Sequence, residues 1–163
     1  MTICTATRGS GFTLLEMMVA VAVFAILMSM ALPTYLSYTV RKQVTEALSI
    51  PLELRGKVYS FYKVNGTFPK DNEEAGIPVA NKLIGNYVTR TDLIDGAFHV
   101  TLGNRANKKL VGKTISYRPA VVKDSPASPI SWLCGQAEAV EGMVAVGTNE
   151  TTIKPPLLPY GCF

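Results

Sequence analysis

The stretch that decides the fold is residues 11–32, GFTLLEMMVAVAVFAILMSMAL. From Phe12 to Leu32 only Glu16 is charged, and only Thr13 and Ser29 are otherwise polar. As a helix rising ~1.5 Å per residue, this run is about 31 Å long, which matches the hydrocarbon core of a bilayer. A chain of 163 residues cannot bury a helix that is apolar on every side. The run therefore requires lipid or copies of itself.

The flanks of the run indicate its orientation. Residues 1–11 contain one basic residue, Arg8, and no acid, which is typical of a segment kept in the cytoplasm while the rest of the chain crosses the membrane. The run is longer than the apolar core of a signal peptide, and Ala31-Leu32-Pro33 is a poor cleavage site. Hydropathy alone therefore favours an N-terminal membrane anchor.

Glu16 conflicts with a purely anchoring role. An ionised carboxylate within a membrane helix costs about 2.5–3.5 kcal/mol, so such a residue is expected to have a function and a partner. If the chain were cut between Gly11 and Phe12, the new α-amine would lie four residues before Glu16. The amine and the carboxylate could then pair within one chain or between neighbouring chains.

The sequence Gly11-Phe12-Thr13-Leu14-Leu15-Glu16, followed by the apolar run, resembles the processing motif of type IV pilins. The resemblance implies that a membrane prepilin peptidase cleaves after Gly11, that Phe12 is N-methylated, and that residues 1–11 are a leader peptide. The resemblance extends to Pro33, where the long helix of the family commonly kinks, and departs at Ala25, where many members have glycine. Three residues beyond Pro33 also match: Tyr35, Tyr38 and Arg41.

Beyond Pro33 the apolar pattern becomes one-sided. Eight apolar residues recur at three- and four-residue steps: Val40, Val44, Ala47, Leu48, Leu54, Val58, Phe61 and Tyr62. The pattern predicts one helix of about 50 residues that Pro33 and Pro51 bend but do not end, and that stops at Asn65-Gly66. Residues 12–33 would form its membrane or filament-core half, and residues 34–65 would pack against a domain.

Residues 66–163 are expected to complete that domain with a sheet. Prolines and glycines interrupt Thr67–Gly96, which indicates a connecting region with short helix or turns. Four strand-like runs follow: Ala97–Leu102, Thr114–Val122, Ile130–Leu133 and Met143–Val146. A long helix followed by a meander predicts an α+β fold. The resemblance implies, more specifically, the type IV pilin fold, with a long kinked helix on an antiparallel sheet.

The chain contains three cysteines. Cys4 would leave with the leader, and a single remaining pair in a translocated domain most simply forms a disulfide between Cys134 and Cys162. A metal site needs more ligands than these, and His99 is the one histidine. The segments ISWLCG and LPYGCF also resemble the two ends of the disulfide-bounded C-terminal loop of type IVa pilins. We therefore expect a disulfide, no metal and no cofactor.

No nucleophile–base arrangement, phosphate loop or zinc pattern is detectable, so the sequence does not predict an enzyme. We interpret His99 as a satisfied surface or sheet residue. Between Gly96 and Lys123 the chain has six basic residues and no acid: Arg105, Lys108, Lys109, Lys113, Arg118 and Lys123. These residues could attract DNA phosphates. Alternatively, they form salt bridges with acidic faces of neighbouring subunits, or are merely solvated.

The resemblance implies a structural subunit of a type IV pilus. The protein would be made as a prepilin in the inner membrane and polymerised by the pilus assembly machinery into an extracellular fibre of identical subunits. Such fibres serve adhesion, twitching motility or DNA uptake. Two alternatives remain, a DNA-receptor pilin of a competence system and a pseudopilin of a secretion system. The terminal cysteine pair disfavours the pseudopilin, because major pseudopilins usually lack it.

Overall fold

The computed structural model describes residues 11–163, so the predicted leader, with Cys4 and Arg8, lies outside the described residues. Two compact units are distinguished, residues 11–36 and Ser37–Phe163. Helix α1, Leu14–Ala47, continues through Pro33. Helix α2 is Ser49–Asn65.

The helical stretch is interrupted at one residue, Leu48. Pro51 explains the interruption, because it has no N–H to donate to the carbonyl of Ala47 one turn earlier. The bonds on either side persist, from Leu48 N–H to the Val44 carbonyl at 3.2 Å and from Leu52 N–H to the Leu48 carbonyl at 3.1 Å. Pro51 thus lies inside a helix, as predicted, although the turn at Leu48 divides the predicted single helix into α1 and α2.

The C-terminal stop of α2 is also as predicted. Gly66 has a φ of 71°, and its N–H donates to the carbonyl of Tyr62 at 2.9 Å. A left-handed residue after the last turn satisfies an otherwise unpaired helix carbonyl, and glycine adopts that conformation without a Cβ penalty.

Five antiparallel strands form one sheet. They are β1, Val88–Ile94; β2, Ala97–Leu102; β3, Thr114–Val122; β4, Ser131–Cys134; and β5, Met143–Ala145. The order is β1-β2-β3-β4, and β5 also pairs with β3. Ala120 pairs with Ser131 in β4 and with Ala145 in β5, so these two strands lie on opposite edges of β3. The expected α+β fold is confirmed.

Strand β1 corrects the sequence interpretation, which treated Thr67–Gly96 as a connection with short helix or turns. The segment does contain a short 3-10 helix, Ala80–Lys82, but it then forms a strand that pairs with β2. Asp95 and Gly96 join β1 to β2 with φ values of 48° and 82°. Two consecutive positive φ values are the signature of a type I′ hairpin turn, and Asp-Gly is a favoured sequence for it.

The core lies between one face of the sheet and the helices. Phe98, Val100 and Ile115 on the sheet and Val44 and Val58 on the helices are all fully buried. Five of the eight residues in the stripe predicted from three- and four-residue spacing are buried, and Leu54, Phe61 and Tyr62 are half-buried.

Candidate assembly and binding surfaces

The N-terminal motif forms the start of α1. Thr13 immediately precedes the helix, and its Oγ1 accepts a hydrogen bond from the Glu16 backbone N–H at 3.3 Å. Thr13 thus caps the helix as its N-cap residue, and Glu16 stands at N3, the position of the acidic residue in capping-box sequences. The Glu16 carboxylate also lies near the positive end of the helix dipole. Sequence reasoning missed this local role, although Thr-x-x-Glu before an apolar run is a sufficient signal.

The first turns of α1 expose apolar side chains on every side. Residues 11–31 are all exposed, with Phe12 at 77% of its accessible surface. The helix is long and apolar enough to cross a bilayer. Apolar surface on all sides of a helix must be covered by lipid or by other protein. Glu16 is the one charged side chain in that surface.

The predicted disulfide between Cys134 and Cys162 is present. Both cysteines are largely buried, and the backbone supports the link, because the Gln136 N–H donates to the Cys162 carbonyl at 2.8 Å. Gly135 has a φ of 61°, and a Cβ there would lie 2.6 Å from that carbonyl oxygen. The close approach of the segments around Cys134 and Cys162 therefore requires glycine at position 135.

The six predicted basic residues do not lie on one surface. Four lie on the connection from β2 to β3 and are exposed: Arg105, Lys108, Lys109 and Lys113. Arg118 is partly buried within β3 and donates from Nη2 to the Ala137 carbonyl at 3.2 Å. Burial lowers the pKa of the Arg118 guanidinium. Lys123 follows the far end of β3, which is about 26 Å from the near end at ~3.3 Å per residue.

A seventh basic residue, Lys154, lines the same cavity as two of the four exposed residues on the β2–β3 connection. Lys109, Lys113 and Lys154 line a cavity of about 470 Å³, which we call the basic groove. Its remaining lining residues are Thr152, Ile153, Pro156 and Leu157. Backbone pairing places the two segments side by side, because the Thr152 N–H donates to the Thr114 carbonyl at 3.0 Å. Sequence reasoning missed Lys154 because it is distant in sequence and no local pattern encodes this pairing.

His99 is buried in the sheet, with 2% of its surface accessible, rather than at the surface. Its Nδ1 lies 3.0 Å from Ser116 Oγ and 3.8 Å from a carboxylate oxygen of Glu150. Burial lowers the pKa of His99 more than the Glu150 carboxylate raises it, so the imidazole is neutral near pH 7. Ser116 is fully buried and its Oγ accepts the Glu150 N–H at 2.8 Å. A hydroxyl without access to substrate is not a nucleophile, so these residues pack the sheet.

Within residues 11–163, no group of three or more His, Cys, Asp or Glu side chains is arranged to hold a metal ion.

Comparison with known proteins identifies related sequences. A family model described as Pilin (bacterial filament) matches residues 40–163, and one described as the prokaryotic N-terminal methylation motif matches residues 7–32. The type IV major pilin protein PilE of Neisseria gonorrhoeae is 35% identical over 131 residues, covering 80% of this chain and 76% of its own. A fimbrial protein of Neisseria meningitidis serogroup B is 31% identical over 165 residues, covering 96% and 95%. Fimbrial protein EcpC of Eikenella corrodens is 30% identical over 148 residues, covering 89% and 94%.

Proposed function

Because the chain belongs to the type IV pilin family, whose members assemble into pilus filaments after processing by prepilin peptidase, we propose that it is the repeating structural subunit of such a fibre. The observation that carries the proposal is the start of α1, which exposes apolar side chains on every side and contains Glu16 as its one charge. Such a surface is covered first by the membrane and then by the same helix of other subunits. The family is structural and not enzymatic.

We propose that cleavage occurs between Gly11 and Phe12 and that Phe12 is then N-methylated. The Phe12 amine of a docking subunit pairs with Glu16 of a neighbour, which neutralises both charges inside the apolar fibre core and sets the axial register. Residues 12–33, including Pro33, form that core, and residues 34–163 form the globular domain. The N-methylation motif and the apolar helix fit a membrane-anchored prepilin that assembles into an extracellular pilus. We place the anchored precursor in the inner membrane.

Mass spectrometry of sheared surface fibres tests this proposal. We expect the main protein to begin at N-methylated Phe12 and to carry one disulfide. A main protein that retains residues 1–11, or surface fibres that do not contain this chain, would contradict it.

Adhesion, twitching motility and DNA uptake are all compatible with such a fibre, and one observation favours a DNA-receptor role as a second candidate. Arg105, Lys108, Lys109 and Lys113 are exposed on a single connection. In the part of the chain that the structure describes, none of them lies within 4 Å of a carboxylate. Repetition along a fibre would multiply weak phosphate contacts by avidity.

The DNA candidate predicts salt-dependent binding of duplex DNA by purified fibres. Replacing Arg105 and Lys108 with alanine removes two phosphate contacts, so the slope of log K against log salt should fall in magnitude by about 2. The matched control is Lys123→Ala, at the far end of β3, which should leave the slope unchanged. Absence of binding by unaltered fibres, or equal losses in the control, would remove this candidate.

A further inference from the structure

The basic groove belongs to a larger surface of the unit Ser37–Phe163, which we call the base. Arg41 of α1 donates from Nε to the carbonyl of Pro156, a groove-lining residue, at 3.1 Å. Two residues further along α1, the Gln43 side chain accepts the Asn107 N–H at 2.8 Å. Three segments of the chain therefore meet to form the base: residues 37–43, 107–113 and 152–163.

The base is the end of this unit at which the chain enters from the apolar run. Strand β3 begins at the base, because the Thr114 carbonyl accepts the N–H of residue 152 at 3.0 Å. At the far end of the unit, just beyond β3, Lys63 of α2 donates from Nζ to the carbonyls of Pro126 and Ala127 at 2.8 and 3.1 Å. Strand β3 and the helical chain from residue 43 to residue 63 therefore lead from the base to the far end.

The base carries positive charge without compensating acidic side chains. Its three segments contain no Asp or Glu and six basic residues: Arg41, Lys42, Lys108, Lys109, Lys113 and Lys154. Among the described residues, no carboxylate lies within 4 Å of these six cationic groups. All of the lysines in the set are exposed. The base is therefore complementary to a ligand with several negative charges.

Exposed aromatic side chains accompany these cations. Lys42 Nζ lies 5.1 Å from the centroid of the Tyr38 ring, and Arg41 Cζ lies 4.9 Å from the centroid of the Tyr160 ring. Phe163 adjoins Tyr160, with 6.3 Å between the ring centroids. All three aromatic side chains keep more than half of their accessible surface. Tyrosine together with lysine and arginine is typical of the layer in which a protein meets phospholipid headgroups.

We propose that, in the membrane-anchored subunit, the base lies on the bilayer surface and binds the phosphate groups of anionic phospholipids. This inference rests on the proposed membrane anchoring. The apolar run ends at Leu32 and the unit begins at Ser37, so the chain between them spans at most about 18 Å at ~3.5 Å per residue. Because the chain enters the unit at the base, connectivity keeps this end near the headgroups.

Within the base, the basic groove provides the site for one headgroup. Its cavity of about 470 Å³ has the size of a small-molecule site. The ammonium groups of Lys109, Lys113 and Lys154 bind the phosphate, and the apolar side chains of Pro156 and Leu157 contact the carbon atoms below it. The other cations of the base attract neighbouring anionic lipids.

A phospholipid surface accounts for more of the base than a nucleic acid does. The phosphates of DNA would engage the lysines but would leave Tyr160 and Phe163 in contact with water. A bilayer contacts cations and aromatic rings together, because its phosphates lie directly above its apolar layer. The membrane is also the one surface to which the chain itself tethers the base.

Hydrogen exchange of the processed, full-length subunit in vesicles tests the contact. One set of vesicles is pure phosphatidylcholine, and the other contains ~30 mol% phosphatidylglycerol. We expect amides of residues 107–113 and 152–158 to exchange at least about threefold more slowly in the anionic vesicles. Salt at ~1 M, which shortens the Debye length to about 3 Å, should remove the difference. Residues 121–128, at the far end, should exchange equally in both.

The possible failures of this experiment are distinguishable. Stable anchoring with equal exchange of the base in both kinds of vesicle would overturn the lipid contact and leave the proposed anchoring standing. Equal protection of the far end would also overturn the contact. Release of the subunit from both kinds of vesicle by alkaline carbonate would overturn the anchoring and the contact together.

Charge reversal in the groove provides a second test. In anionic vesicles, Lys109→Glu with Lys113→Glu should restore the faster exchange of residues 152–158, which contain neither substitution. The matched control is Lys57→Glu with Lys123→Glu, which reverses the same charge at exposed lysines outside the base and should keep the slower exchange. Unchanged exchange of β2 amides shows that both variants are folded. Retained protection in the groove variant, or an equal loss in the control, would overturn the proposal. Protection of the base by duplex DNA, with none from phosphatidylglycerol, would overturn it in favour of nucleic acid.

Discussion

Replacing Glu16 with alanine is expected to abolish fibre assembly while the leader is still removed between Gly11 and Phe12. Glu16 is the one charge in an apolar helix surface that other subunits cover in the proposed fibre. Leaving one partner of a buried ion pair without the other costs about 3–5 kcal/mol, and this cost recurs at every subunit added. Electron microscopy of the cell surface measures assembly, and the mass of the membrane-bound subunit measures cleavage.

Two further variants separate the ion pair from the capping role of Glu16. Glutamine at N3 completes a capping box as glutamate does, so Glu16→Gln retains the local helix start but removes the charge. We expect it to abolish fibres as alanine does. Thr13→Ala, which removes the side-chain acceptor of the Glu16 N–H, should cost only about 1 kcal/mol of helix stability and permit assembly. Normal fibres from Glu16→Gln would refute the pairing and assign Glu16 to capping.

The parts of the fold that the sequence predicted are those encoded by local periodicity. The stripe that includes Val44 and Val58 has helical spacing and is buried. The bounds of β2 and β3 match the predicted runs, because turn residues punctuate both ends. Strand β1 was missed because VTRTDLI has an irregular burial pattern, with two adjacent exposed residues. The Asp95-Gly96 turn that follows it was the available signal.

The candidate surfaces show the same difference between features encoded by local sequence and features created by tertiary structure. The processing motif and the cysteine pair are features of residue order and residue count, so the amino-acid sequence alone indicates them. The basic groove depends on the pairing of residue 152 with Thr114, which unites lysines far apart in the chain. Arg118 shows the converse, because the sheet partly buries a residue that charge counting alone places with the exposed lysines. Charge composition therefore predicted that a basic surface exists but not which residues form it.

Loss of the disulfide is the second change with a large expected effect. Replacing Cys134 and Cys162 with serine frees a chain segment with a sequence separation of 28. The entropy of closing a loop of that size corresponds to about 3.5 kcal/mol of folding free energy. For a chain of this length, that loss lowers the melting temperature by about 10 °C. Thermal unfolding of the processed, full-length subunit in detergent measures it.

The same disulfide controls the basic groove, because Lys154, Pro156 and Leu157 all lie within the segment that it closes. Backbone amides of residues 152–157 in the double serine variant should therefore exchange hydrogen faster than in the unaltered subunit, even at temperatures at which the domain remains folded. Cys4→Ser is the matched control, since that residue is removed with the proposed leader and the mature subunit is unchanged. A melting temperature within about 2 °C of the unaltered protein would contradict the expected loss of about 3.5 kcal/mol. Unchanged exchange would show that helix and sheet packing hold residues 152–157 in place without the covalent link.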